Sequence, residues 1–345
     1  MSKLPLYKSF LKENRTRAQA EEIFLQRIKD SIEVFNKFSN NFYKRACPIC
    51  GEHQFDELEK FHDTYGIAKC TKCSSIYVNP APSNDALDYY YNNCYCNKQL
   101  GKLLKTRVGK EGLILNDRIK SVLVIIFTIL KKKNKVRILE VGCNSGAFLF
   151  ELSEFLKEEN ILDKVQLIGI DIDRYAIENP VSNELNLHHS SAEEFVGKNQ
   201  SKFDLIMHFE LIEHLNDPFE FCSSVFDLLD EKGLMYFHTP NVLGFDNQAL
   251  SYNDFRPLAH GIFPPMHLNA FTTQNITHFL IRLGFKVREI NTPGNFDTDI
   301  VREFSSNENE FSLVKNIDST KSLAIFQHLI SILGASSHMT VLAEK

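Results

Sequence analysis

The stretch Val136-Arg-Ile-Leu-Glu140-Val-Gly142-Cys-Asn-Ser-Gly146-Ala-Phe-Leu constrains the fold of this 345-residue chain more than any other segment. It reads as a short apolar strand, a glycine-bearing turn and the start of a helix. Glycine has no Cβ, so it sits where backbone must bend sharply or approach a ligand closely. Such a loop could cradle a dinucleotide, but that fingerprint needs G-x-G-x-x-G. Asn144 stands where the middle glycine would be, and Glu140 inside the strand is unusual for a nicotinamide site.

Further segments follow in order. Val165-Gln-Leu-Ile-Gly-Ile-Asp171 is an apolar run ending in an acid. That suits a buried parallel strand whose last residue faces a ligand crevice, where a carboxylate can accept two ribose hydroxyls. Asp173 is placed to cap the next helix. Ser190-Ser-Ala192-Glu193-Glu194 resembles a helix start with early acids. Phe203-Asp-Leu-Ile-Met-His208-Phe-Glu210-Leu-Ile-Glu213-His214 reads as a strand and the loop after it. Leu228 to Asn241 reads as a helix end, a turn and a strand, and Pro265-Met-His267 precedes another helix and the strand Gly284 to Ile290.

Taken together, from about residue 115 to 345, these segments resemble the class I S-adenosylmethionine (SAM) methyltransferases. The likeness is closest to the branch with ubiquinone-type O-methyltransferases and many small-molecule and sugar methyltransferases. The resemblance implies an α/β fold: a Rossmann-like, seven-stranded, mostly parallel sheet with helices on both faces and an antiparallel last strand. It implies SAM contacts from Glu140, Gly142, Cys143, Asn144, Gly146, Asp171, Ile172, Ala192, Glu193 and His208. Within that set Asp171 takes the ribose, and Ala192 and Glu193 lie against adenine.

Cys47-Pro-Ile-Cys50 and Cys70-Thr-Lys-Cys73 are two C-x2-C knuckles spaced as in a four-cysteine zinc site. Four thiolates fill a tetrahedral shell and leave no open position, so the expected role is structural. The Met1 end shows no secretion signal, which favours reduced thiols and a cytoplasmic setting. Cys94 and Cys96 have no matching pair and read as free thiols, and neither Cys143 nor Cys222 has a base nearby in sequence. The expected organisation is a helical segment at 1–45, a zinc-ribbon-like module at 46–97 and a methyltransferase domain at 98–345. A lid-like insert is expected near 242–266 and a helical insert near 292–336. Residues from about 10 to 42 read as an amphipathic helix, expected to pack on the body or on a second copy in a homodimer. The apolar run Ser121 to Leu130 is too short to span a bilayer and is expected as a buried helix.

Methyl transfer needs an aligned acceptor and a place for its proton; histidine is the natural base near neutral pH. The candidates are His208, His214 and His267. On a helix, Glu210, Glu213 and His214 would project from one face. The set matches the E-x-x-E-H positions that ubiquinone-type enzymes use for magnesium, so a divalent cation is a second expected ligand. Tyr252, Arg256, Asp297 and Asp299 lie where an acceptor could be met.

The reading is therefore a small-molecule methyltransferase acting on a sugar, a lipid-linked precursor or a quinone-like phenol. Two alternatives stand beside it: an RNA methyltransferase gripping nucleic acid through the zinc module, and a non-catalytic SAM-binding protein. The net charge of −5 weighs against nucleic acid, although residues 98–110 are basic.

Overall fold

A computed structural model describes residues 17–96, 113–198, 201–250, 261–294, 296–304, 314, 316, 317 and 319–345. The first part contains helix α1 (Arg17–Phe38), strands β1 (Phe55–Phe61), β2 (Tyr65–Cys70) and β3 (Ile76–Val78), and helix α2 (Asn84–Asn93). Next come α3 (Leu113–Leu130), β4 (Val136–Val141), α4 (Ala147–Glu158), β5 (Val165–Asp171), α5 (Arg174–Glu178), β6 (Leu187–His189) and α6 (Ala192–Lys198). They are followed by β7 (Phe203–Phe209), α7 (Pro218–Leu228), β8 (Leu229–Pro240), α8 (Phe245–Ala249) and β9 (Asn269–Ala270). The chain ends with α9 (Thr273–Arg282), β10 (Lys286–Asn291), α10 (Asp297–Phe304), α11 (Thr320–Ile332) and β11 (His338–Glu344).

Seven strands form the main sheet in the order β10-β11-β8-β7-β4-β5-β6. The five from β8 to β6 are parallel, and β11 runs antiparallel to both β8 and β10. Continuous apolar strands such as β7, nearly all buried, are what a sheet covered on both faces requires. One face packs Phe195, Phe221, Val225, Ile276 and Phe279 from α6, α7 and α9. The other packs Ile119, Val122 and Ile126 of α3 with Leu149, Leu152 and Leu156 of α4. Local chemistry marks the helix starts. Asp217 accepts from the amides of Phe219 and Glu220 ahead of Pro218, and Thr272 and Asn275 close a reciprocal capping box on α9. Asp173 caps α5 as expected, accepting from the Ala176 amide at 3.0 Å.

α3 departs from the buried helix expected for it. It is amphipathic in fact, with Val124 66% and Phe127 39% exposed beside the buried residues. Just past its end Lys133 pairs with Asp204 and Asp230 and so anchors the chain there.

The N-terminal part is sewn to the body. A small sheet runs β1-β2-β3-β9, so its last strand comes from far along the chain, with Ile76 facing Ala270 and Tyr77 facing Asn269. Arg45 crosses the same seam. Its guanidinium donates to the carbonyls of Val78, Asn216 and Leu268 and to the Asn269 side chain at 2.8–3.2 Å. Burial lowers its pKa to about 10, which leaves it cationic at neutral pH. From the other side Arg282 donates to the Ile49 carbonyl at 2.7 Å. α1 joins through the Ser31 hydroxyl, which donates to the Pro264 carbonyl, and through Phe24, edge-on to Phe263.

Candidate active site

Ligands of open α/β sheets bind beyond the carboxyl ends of the parallel strands. At the end of β4 the chain turns through Gly142 (φ +75°), Asn144 (φ +50°) and Gly146 (φ +82°). A Cβ on Gly146 would come within 2.6 Å of Leu185, so side chains crowd the turn as well as φ favouring glycine. Asp171, ending β5, accepts from the Asn144 amide at 2.7 Å and the Asp173 amide at 2.8 Å. Each carboxylate oxygen keeps capacity for another donor. Glu140 is 4% exposed and its Oε2 has no partner among the described residues. Burial, helped by the charge of Asp171, pushes its pKa up to about 8. An orphaned buried carboxyl beside a glycine turn fits a ligand that brings hydrogen-bond donors.

Ile172 projects 68% exposed beyond Asp171, while Ala192 is buried at the start of α6 with Glu193 half-buried beside it. Ser191 caps α6 by accepting from the Glu194 amide. Cys143 turns its thiol into the core, where a Cβ on Gly169 would touch it, so only its backbone belongs to the turn.

His208 is placed differently from the expectation. It is fully buried, stacked at 4.5 Å on Phe237 and edge-on to Phe221, and neither ring nitrogen has a partner among the described residues. Burial holds its pKa near 3, so it stays neutral. It is a core residue facing α7; strand alternation sends its neighbour Phe209 to the other face.

The Glu210-Glu213-His214 set also divides. Glu210 adopts φ +51°, which stops any helix there, and only Ile212–His214 forms a short 3-10 turn. Glu210 swings to Arg118 at 2.6 Å and His338 at 3.5 Å. Burial alone would raise its pKa; His338 and Arg118 outweigh that and hold it well below the usual range. In return Glu210 outweighs the desolvation of His338, whose side chain is half exposed, and lifts that imidazole to about 9. Arg118 also donates to His238 Nδ1 at 3.3 Å, and the other nitrogen of His238 meets the Tyr236 hydroxyl at 3.1 Å. This network is not expected from the sequence. It borders a cavity of about 1210 Å³, whose lining includes Arg118, Tyr236, His238, Phe296, Leu333 and His338.

Glu213 and His214 instead meet His267, with one candidate ligand atom from each residue within 4.8 Å of the others. His214 contacts the Met266 carbonyl at 2.8 Å and the Tyr91 hydroxyl of α2 at 3.1 Å. Burial is the main reason its pKa falls to about 4. Asp297 is buried and accepts from Gln327 and the Ser337 amide, which makes it a brace for the C-terminal insert, and Asp299 is also buried. Tyr252 and Arg256 lie outside the described residues.

Cys47, Cys50, Cys70 and Cys73 converge as their spacing predicts. Sulfur–sulfur separations are 3.6 Å for Cys47–Cys73 and 3.5 Å for Cys50–Cys70. A tetrahedral shell with Zn–S near 2.3 Å has edges of about 3.8 Å, whereas a disulfide is about 2.05 Å. The donors therefore fit a zinc ion.

The profile of a family described as "Methyltransferase domain" matches residues 115–290, just over half of the chain. The chain belongs to this methyltransferase family. Two curated relatives of the chain are named ubiquinone biosynthesis O-methyltransferase. That of Pelagibacter ubique is 27% identical over 142 residues, covering 40% of this chain and 53% of its own. That of Aromatoleum aromaticum is 27% identical over 111 residues, covering 30% and 44%. The chain thus spans about half the length of the curated relatives it matches. Solved structures similar to it include a SAM-dependent methyltransferase from Archaeoglobus fulgidus, with 19% identity and a TM-score of 0.41, covering 76% of this chain and 100% of that one. The plantazolicin methyltransferase BpumL, in complex with SAH, has 17% identity and a TM-score of 0.48, covering 75% and 93%. No described helix is long and apolar enough to cross a membrane.

Proposed function

We propose that the chain moves a methyl group from SAM to a small-molecule acceptor, with zinc as a structural ion at Cys47, Cys50, Cys70 and Cys73. The observation that carries this is the turn after β4, with a buried Glu140 whose Oε2 has no partner among the described residues and whose pKa is raised by burial and by the charge of Asp171. Asp171 takes the ribose hydroxyls. Glu140 and the backbone from Gly142 to Gly146 meet the amino-acid part, and Ile172, Ala192 and Glu193 flank the adenine.

The acceptor enters from the β8–β11 half of the sheet, by way of the cavity bordered by Arg118, His238 and His338. The curated relatives are named O-methyltransferases, which supports an oxygen acceptor: a phenol, a sugar hydroxyl or a lipid-linked precursor. The attacking oxygen bonds to the methyl carbon as the sulfonium bond breaks, and the protein must align the two and accept a proton. His214 and His267, stacked edge to face at 4.8 Å, are the groups offered for the proton. His208 has no part, since it is enclosed between Phe221 and Phe237.

The test is incubation of the zinc-loaded chain with methyl-labelled SAM and panels of phenols, sugars and lipid-linked precursors. Label transfer to one class, lost in Asp171→Ala, is expected. Failure to bind SAM or S-adenosylhomocysteine at saturating concentration would reject the reading.

A further inference from the structure

We propose that Tyr91, on the helix that follows the four-cysteine segment, donates a hydrogen bond to the acceptor's reacting oxygen beside His214 and His267. The inference deepens the reading above and rests on it. It brings an acceptor contact from a segment outside the residues matched to the methyltransferase family.

Three observations carry it. First, the position of Tyr91 is fixed from several sides. It lies on α2, which Ser83 caps by accepting from the Ala86 amide, and Ala86 and Tyr90 bury one face of that helix. Asn216 donates to the Pro82 carbonyl and to the Asn84 side chain, both at 3.1 Å. Its own carbonyl accepts from Arg45 at 2.8 Å. Asn216 follows closely after His214 on the loop beyond β7, so the same contacts hold α2 against the loop that carries the imidazole. The Tyr91 hydroxyl arrives 3.1 Å from His214 Nδ1, and the His214 ring is edge-on to His267 at 4.8 Å.

Second, the hydrogen of that hydroxyl is not used by the imidazole. His214 Nδ1 also lies 2.8 Å from the Met266 carbonyl. A carbonyl can only accept, so Nδ1 carries the hydrogen and Nε2 keeps its lone pair. Tyr91 Oη can then meet Nδ1 only as an acceptor that shares the same hydrogen. Its own O–H points away from the ring and is left for another oxygen. Nε2 is, by the same reasoning, the nitrogen left to take a proton.

Third, the hydroxyl is reachable and keeps its proton. Tyr91 is 38% exposed, whereas Tyr90 beside it is 1% exposed. Desolvation holds the Tyr91 pKa above the ordinary phenol value, and Tyr90 and Glu213 add to the shift, so it remains a donor at neutral pH. When the acceptor gives up its proton, negative charge collects on its oxygen. A donor aimed at that oxygen holds it in place and favours the ionised form. As the oxygen–carbon bond forms, the charge drains away and the hydrogen bond weakens. Tyr91 therefore acts on acceptor binding more than on the transfer step itself.

The experiment uses the zinc-loaded full chain saturated with S-adenosylhomocysteine and follows the binding of 4-nitrocatechol by its absorbance. One probe per chain is expected. Tyr91→Phe should weaken it by about 10-fold or more, as for a hydrogen bond to a charged oxygen. Affinity for S-adenosylhomocysteine, zinc content and circular dichroism should stay unchanged. Tyr95→Phe, which alters a more exposed phenol just past α2, should leave probe binding as it was. In turnover with methyl-labelled SAM and catechol, Tyr91→Phe should raise the KM for catechol more than it lowers kcat and leave the KM for SAM alone. A residue that only braces the fold would not give that split. If the phenylalanine variant misfolds, Tyr91→Gln, which keeps a donor, should bind the probe more tightly than Tyr91→Leu. Probe affinity within about 2-fold of the parent in Tyr91→Phe would overturn the proposal. So would a complex that holds S-adenosylhomocysteine but takes no probe. A chain that binds no S-adenosylhomocysteine fails the methyl-transfer reading itself, which keeps the two failures apart.

Discussion

Replacing Arg45 with alanine should loosen the seam between the four-cysteine part and the body. The guanidinium makes four hydrogen bonds, to Val78, Asn216, Leu268 and Asn269, within 3.2 Å. A hydrogen bond to a charged group contributes about 1.5–3 kcal/mol, which puts the gross loss at about 6–12 kcal/mol. Arg45 is only half-buried, so water re-solvates part of what it leaves, and a net cost of about 3–6 kcal/mol is expected. For a chain of this length that corresponds to a Tm lowered by about 5–10 °C. Arg45→Lys keeps the charge but loses the fork, so it should recover less than half of the difference. Thermal unfolding followed by circular dichroism, together with zinc release to a chelator, reads both the fold and the seam. A Tm within about 1 °C of the parent and unchanged zinc release would refute the view that Arg45 couples the two parts.

Other outcomes follow from the same geometry. Asp171→Ala removes the carboxylate assigned to two ribose hydroxyls and should weaken S-adenosylhomocysteine binding by about 10²–10⁴-fold in a calorimetric titration, with zinc retained. Unchanged affinity would remove the ribose assignment. Cys73→Ser should lose zinc and lower the melting temperature, by metal analysis and calorimetry, because a structural zinc shell contributes folding energy directly. The His338 pKa is raised from 6.5 to about 9 by Glu210. Its contribution to stability is therefore fully present below about pH 6.5 and is lost as pH rises through about 9. The melting temperature should fall across that window, and His338→Asn should flatten the dependence; a parent already flat there would contradict the pairing.

The sheet was legible because its information is local. The apolar run of β7, the acid closing β5 and the Asp217-Pro218 helix start each carry their cause within a few residues. The four cysteines were legible because knuckle spacing nearly dictates their convergence. What escaped depends on long-range meetings. Arg118 meets Glu210 from 92 residues away, and no periodicity announces it. β9 is two residues long, too short for any alternation, yet it completes the small sheet beside β3. The E-x-x-E-H spacing misleads because it presumes a helix; Glu210 at φ +51° sends its carboxylate to Arg118 and leaves Glu213 to His267. His208 looks like a crevice residue in sequence because it nears the end of β7, but its register directs the ring between Phe221 and Phe237.

The most direct test of the central claim is titration of the zinc-loaded chain with S-adenosylhomocysteine, with stoichiometry read by native mass spectrometry. One molecule bound per chain, lost on Asp171→Ala with zinc still in place, is the predicted result. Retention of zinc with no S-adenosylhomocysteine bound at saturation would contradict the assignment of the crevice beyond β4 and β5 as a SAM site.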